Sequence, residues 1–322
     1  MSRTVRRVIG NDSAVERQAR SARNLVKYRL GKSVSRTDLF VSPKGSGEPL
    51  GVLLMGACDV ATLTVAGPRL ARNPQRPFCL ASISSAPESR SDLFVQSLNL
   101  PDPALTREVT ERLNLVPGYF EPRVLMKDMK PPHQIGIKPF PVGAIVLSIC
   151  IDTSRTMYRH RENGLLVDPG GWWLSGDMGE VIADKSAMIW FAKTFEKMGR
   201  IDLEDSMKNY ETIISEIRKA SGAHVIMMNV LSVDPGAGSL DYKFANSPNK
   251  IRRREFNIAL NELSQRLDFP VLDVDRITKG SGISGQADFV HYTPGQKRMI
   301  AEEFIGMLVD AGLFEPVRSR SR

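Results

Sequence analysis

Cysteine is scarce in this chain of 322 residues: Cys58, Cys79 and Cys150 are the only three. An odd, widely spaced set argues against a disulfide framework and fits a reducing compartment. Long apolar runs are missing too. No stretch approaches the roughly 20 apolar residues of a membrane-spanning helix. Met1 to Gly10 carries arginines but no apolar run of signal-peptide length. These absences predict a soluble, cytoplasmic protein without a transmembrane segment. No Gly-x-Gly-x-x-Gly and no P-loop follows a strand, which leaves nucleotide binding without support. No His/Cys cluster has zinc spacing, and His133, His160 and His224 are scattered. Neither a metal nor any other cofactor is expected.

What is present is ordinary globular material, 42% hydrophobic and 25% charged. The formal charge of +8 is spread unevenly. Residues 1–40 hold ten Lys or Arg against Asp12, Glu16 and Asp38, a net of +7. The remainder is therefore near neutral, which excludes a globally basic nucleic-acid binder. Within the basic arm, residues 13–30 read as a helix. Ser13 and Glu16 match a capping box, and Val15, Ala19, Ala22, Val26 and Leu30 share one face. That face is thin in large side chains. The helix either rests solvated on the domain, or it is an arm for an acidic partner or an anionic surface. The last residues, 316–322, form a short basic tail that is expected to be disordered.

From residue 41 to 315 the chain alternates strand and helix. Leu50 to Met55 and Phe78 to Ile83 are short apolar runs. Gly143 to Ile151 is almost wholly apolar, as a central parallel strand must be. Ala223 to Val230 and Val271 to Val274 complete five strands. Helices are predicted over 102–113, 180–198, 203–220, 250–267 and 294–311. Asp102 and Thr293 cap the first and last of these, each followed by Pro. Gly199 suits the end of the second. Five strands with such crossovers give an α/β fold, a three-layer doubly wound parallel sheet. The proline-rich stretch at about 85–142 reads as an insertion over one end of the sheet, and 155–180 is also irregular.

In such a sheet, ligands sit at the carboxyl ends of the strands. The most specific segment there is Asp288-Phe289-Val290-His291-Tyr292-Thr293-Pro294-Gly295, just before the last helix. One turn brings the Asp288 carboxylate to the His291 ring, which fixes the tautomer and leaves the other nitrogen as a base. Other candidates follow the other strands: Cys58 after Gly56-Ala57, then Ser84 and Ser85, then Asp152, Thr153 and Arg155. Arg155, with Arg159, His160 and Arg161, either holds a carboxylate or phosphate or forms a solvated basic turn. Trp172 and Trp173 are a sugar- or acyl-stacking wall or ordinary packing.

On these residues the chain resembles the SGNH (GDSL-like) hydrolase superfamily over roughly residues 50–312. The shared points are the strand running into Gly56-Ala57-Cys58, the strand ending at Asp152, the strand and helix leading to Leu272-Asp273-Val274, and Asp288-x-x-His291 before the last helix. The resemblance implies a five-stranded parallel sheet in the order 2-1-3-4-5. It also implies hydrolysis or transfer of acyl groups from small-molecule or glycan esters. This chain departs from the pattern. Cys58 stands at the nucleophilic serine, Ser84 or Ser85 at the second-block glycine, and Asp152 at the third-block asparagine. A thiol is an able nucleophile beside an imidazole. An ionised Asp152 accepts hydrogen bonds and does not donate them, so the oxyanion donors would be the Cys58 amide and the hydroxyls of Ser84, Ser85 or Thr153. Two functions stay open: an ester hydrolase or O-acyltransferase, and a catalytically silent binding or assembly protein on the same fold.

Overall fold

The structure is a computed structural model and describes residues 40–41, 48–56, 59–70, 78–83, 90–99, 101–115, 119–125, 127–129, 140–169, 182, 184–232, 248–281 and 292–314. In chain order the elements are β1 (Phe40–Val41), β2 (Leu50–Met55), a 3₁₀ helix (Val60–Ala66) leading into α1 (Gly67–Leu70), β3 (Phe78–Ile83), α2 (Ser91–Leu98) and α3 (Pro103–Leu113). Then come a 3₁₀ turn (Arg123–Leu125), β4 (Asp128–Met129), β5 (Phe140–Ser148), β6 (Thr156–His160), β7 (Leu166–Val167), α4 (Lys185–Thr194) and β8 (Phe195–Arg200). The last elements are α5 (Leu203–Ala220), β9 (His224–Met228), α6 (Pro248–Leu267), β10 (Val271–Leu272), α7 (Val274–Ser281) and α8 (Pro294–Asp310).

The main sheet runs β3-β2-β5-β9-β10, with every neighbouring pair parallel. Counted along the chain, this is the order 2-1-3-4-5. Two antiparallel additions bring it to seven strands: β1 pairs with β3, and β4 with the start of β5. Each is two residues long, too short to leave a periodic trace in the sequence.

Successive side chains of a strand face opposite ways, and each set meets its own helices. Leu53, Met55, Ile145, Leu147, Val225 and Met227 pack with Tyr210, Ile213 and Ile217 of α5 and Phe256 and Leu260 of α6. Val52, Leu54, Ala144, Val146, Ile226 and Met228 pack with Val60 and Leu63 of the 3₁₀ helix and Ile300, Phe304 and Leu308 of α8. Burial on both faces explains the unbroken apolar run in β5. β5 approaches β2 so closely that a Cβ on Gly143 would lie 2.1 Å from Leu50 Cδ1.

The irregular stretches contain more order than their composition suggests. β7-β6-β8 form a second, antiparallel sheet. Its core joins Val109 and Leu113 of α3 to Val167, Phe191 and Phe195. The predicted helix over 180–198 is corrected here. α4 stops at Thr194, Phe195 turns extended, and Gly199 lies inside β8 and not at a helix end. The Phe195 ring stacks on Phe191 at 4.9 Å, and β8 finds its backbone partners on β6. Among the described residues no helix is long and apolar enough to cross a membrane.

Candidate active site

Parallel strands deliver their carboxyl ends to one rim, here Met55, Ser148, Met228 and Leu272. β2 leaves the sheet through Gly56, where a Cβ would sit 3.0 Å from Val60 Cγ1 and 3.3 Å from Ser148 Cβ. The close approach of the next helix calls for a minimal side chain at this turn. Asp59 follows, only 2% exposed. Its Oδ2 accepts a short hydrogen bond from Ser148 Oγ, while Oδ1 has no hydrogen-bond partner among the described residues. Ser148 Oγ in turn accepts from the Cys150 amide at 3.0 Å, and the Ser148 carbonyl accepts from Tyr210 Oη at 3.0 Å. Burial raises the Asp59 pKa. The Ser148 hydroxyl, the nearby amides of Val60 and Asp59, and the Arg253 charge act the other way. Tyr292 is buried at the same rim. Burial first, then the charge of Asp59, holds its phenol well above the usual range.

The loop after β9 is fixed by side chains standing in for backbone. Asn257 brackets Val230, accepting from its amide at 3.1 Å and donating to its carbonyl at 2.7 Å. Arg253 donates to the Leu231 carbonyl at 3.1 Å. Asn229 donates to Asp273 at 2.7 Å and accepts from the Asp275 amide at 3.3 Å. Ser232 gives both its amide and its hydroxyl to Asp275, and Lys279 closes the group with bonds to Asp275 and to Ser232 Oγ at 3.0 Å. These partners come from α6 and α7, whose register no local pattern reveals.

The central candidates Cys58, Asp288 and His291, with Ser84 and Ser85, lie outside the described residues, as do Trp172 and Trp173. Asp152, Thr153 and Arg155 are described, and all three turn inward. Asp152 is fully buried. It accepts from the Ser91 amide at 2.9 Å, from Ser91 Oγ at 2.5 Å and from Ser206 Oγ at 2.5 Å. Ser91 opens α2, whose preceding Arg90 makes no side-chain cap. Asp152 therefore satisfies an orphan amide of that helix from across the fold. Thr153 Oγ1 donates to the Cys150 carbonyl at 2.7 Å, and Arg155 is ion-paired with Asp168 at 2.5 Å, both buried. The polar atoms of these three residues named here meet partners within the fold. Arg159 and Arg161 are exposed and pair with Glu196, while His160 packs edge-on against Phe195.

The sequence matches no protein-family model and no curated protein. Among solved structures, it is similar to an acetyl xylan esterase, at 11% identity and a TM-score of 0.42, over 80% of this chain and 98% of that one. It is also similar to the lipase/acylhydrolase from Enterococcus faecalis, at 11% identity and a TM-score of 0.42, over 85% and 100%. A member of the lipolytic G-D-S-L family from Veillonella parvula gives 9% identity and a TM-score of 0.40, over 81% and 98%. At such values the likeness assigns no chemistry; the strand order described above speaks for the fold by itself. The fold is a doubly wound parallel α/β sheet in the order 2-1-3-4-5. Function on this fold is decided by the side chains at the rim.

Proposed function

We propose that this chain is an acyl-ester hydrolase or O-acyltransferase with a Cys-His-Asp site. The reading is supported by one packing arrangement. The 3₁₀ helix beginning two residues after Cys58 and α8, beginning three residues after His291, lie against each other in one core. Asp59 and Tyr292, the immediate neighbours of Cys58 and His291, are both buried, and the charge of one acts on the hydroxyl of the other.

In the proposed reaction, the Cys58 sulfur attacks the acyl carbon of an ester. His291 takes the thiol proton and returns it to the leaving alcohol, and Asp288 orients the ring. The acyl-thioenzyme then passes its acyl group to water or to another hydroxyl.

Cys58→Ala and His291→Ala are each expected to lower turnover of a generic aryl ester by at least a hundredfold, with wild-type urea unfolding. Wild-type turnover in both variants rejects the mechanism. The inward commitment of Thr153 favours a second reading, a catalytically silent binding protein, since it removes one of the expected donors from an oxyanion site. Iodoacetamide separates the two. Cys79 and Cys150 are buried, and burial pushes the Cys79 thiol up to about 12, so native labelling reports on Cys58. Fast labelling at neutral pH that slows in His291→Ala supports the enzyme, and an inert Cys58 supports the silent protein.

A further inference from the structure

A groove of about 650 Å³ runs between α7 and α8. Ile277, Met299 and Met307 give it an apolar floor, with Met299 44% exposed. Glu302, Glu303 and Asp310 line it, and among the described residues Arg276 is the one cation of that lining; Arg276 pairs with Glu303 at 2.8 Å and Arg69 lies 4.0 Å from Glu302, so the lining itself keeps a net negative charge. Two glycines face it, Gly280 in α7 and Gly306 in α8. Glycine weakens a helix interior, where Gly306 sits, and a Cβ at either position would meet nothing within 4 Å. Packing among the described residues does not require these glycines. They leave room for something that comes close.

We propose that residues 13–30 of this same chain dock in the groove as a basic helix. The arm's apolar face is Val15, Ala19, Ala22, Val26 and Leu30. Its two central alanines suit a close approach to the glycine notch, and the larger residues at its ends meet the methionine floor. Arg20, Arg23, Lys27 and Arg29 flank that face and complement the groove's carboxylates. The lengths agree: at about 1.5 Å per residue, 18 residues span about 27 Å, close to the length of α8. The connection also reaches. Nine residues separate Leu30 from β1, enough for roughly 30 Å of extended chain. The arm's acidic partner is thus the protein's own surface, a reading that does not depend on the proposed chemistry.

The test uses the full chain with a benzophenone photo-crosslinker in place of Ala22, irradiated in dilute solution and mapped by mass spectrometry. Intramolecular crosslinks to α7 and α8 are expected, with yield independent of protein concentration. The double variant Glu302→Lys/Glu303→Lys and, separately, Gly306→Phe are each expected to cut that yield at least fivefold. Both changes lie on exposed positions, and retention of the wild-type unfolding midpoint checks the fold. Crosslinks elsewhere, crosslinks between copies, or yields indifferent to both variants overturn the proposal. Phosphatidylserine vesicles add a second readout. Release of the arm in the groove variants is expected to raise vesicle binding severalfold over wild type. Equal binding in all three proteins also overturns it.

Discussion

Asp152 is a carboxylate held where water does not reach, and its ionisation works against the fold. Its pKa rises from 3.8 to about 6, burial outweighing the hydroxyls of Ser206 and Ser91. Between those values the native state binds more protons than the unfolded chain, so stability falls as pH rises. Two units correspond to roughly 3 kcal/mol. Asp152→Asn removes the titration. The stability of wild type minus that of the variant, from urea unfolding, should therefore fall by roughly 2–3 kcal/mol between pH 4 and pH 7. A constant difference across that range would mean that Asp152 titrates as an ordinary surface acid. The same residue shows the limit of reading single positions. Its place after a central strand makes it a candidate at the rim. Its partners Ser91 and Ser206 are 61 and 54 residues away, and no local pattern announces them.

Elements were legible where their ends are decided locally. Thr293 accepts from the Gln296 amide and Gln296 reaches back to Thr293, a complete capping box around Pro294. Asp102 likewise caps α3 through the Ala104 amide, beside Pro103. α2 escaped notice because its first amide is satisfied by distant Asp152, and β8 because its strand character comes from pairing with β6. Two costs follow for α8, which carries the segment after His291. Thr293→Ala should lower stability by about 1 kcal/mol, the usual worth of such a cap. Phe304→Ala, emptying a fully buried ring position, should cost roughly 3–5 kcal/mol. Urea unfolding distinguishes them, and equal losses would contradict this division between a local cap and a shared core.

At the scale of the whole molecule, the order of the parallel strands follows from their apolar runs and crossovers, whereas the attachment of the second sheet rests on long-range polar contacts. Arg90 is the main bolt. It is 1% exposed, donates to the carbonyls of Arg155 at 3.0 Å and Gly199 at 3.1 Å, and forks onto Asp92. Arg252 adds bonds to the Asp152 and Thr153 carbonyls and to that of Ile201. Removing a buried cation strands its partners, which costs about 3–5 kcal/mol. Breaking an exposed pair costs about 1 kcal/mol or less, and Arg159–Glu196 is such a pair on the same small sheet. Arg90→Ala should therefore destabilise the protein several times more than Arg159→Ala. Hydrogen exchange locates the effect: amides of β6 and β8 should lose protection before those of β5 and β9, whose packing Arg90 does not touch. If both variants unfold alike, or β5 loosens first, the second sheet is held by its apolar core and not by Arg90.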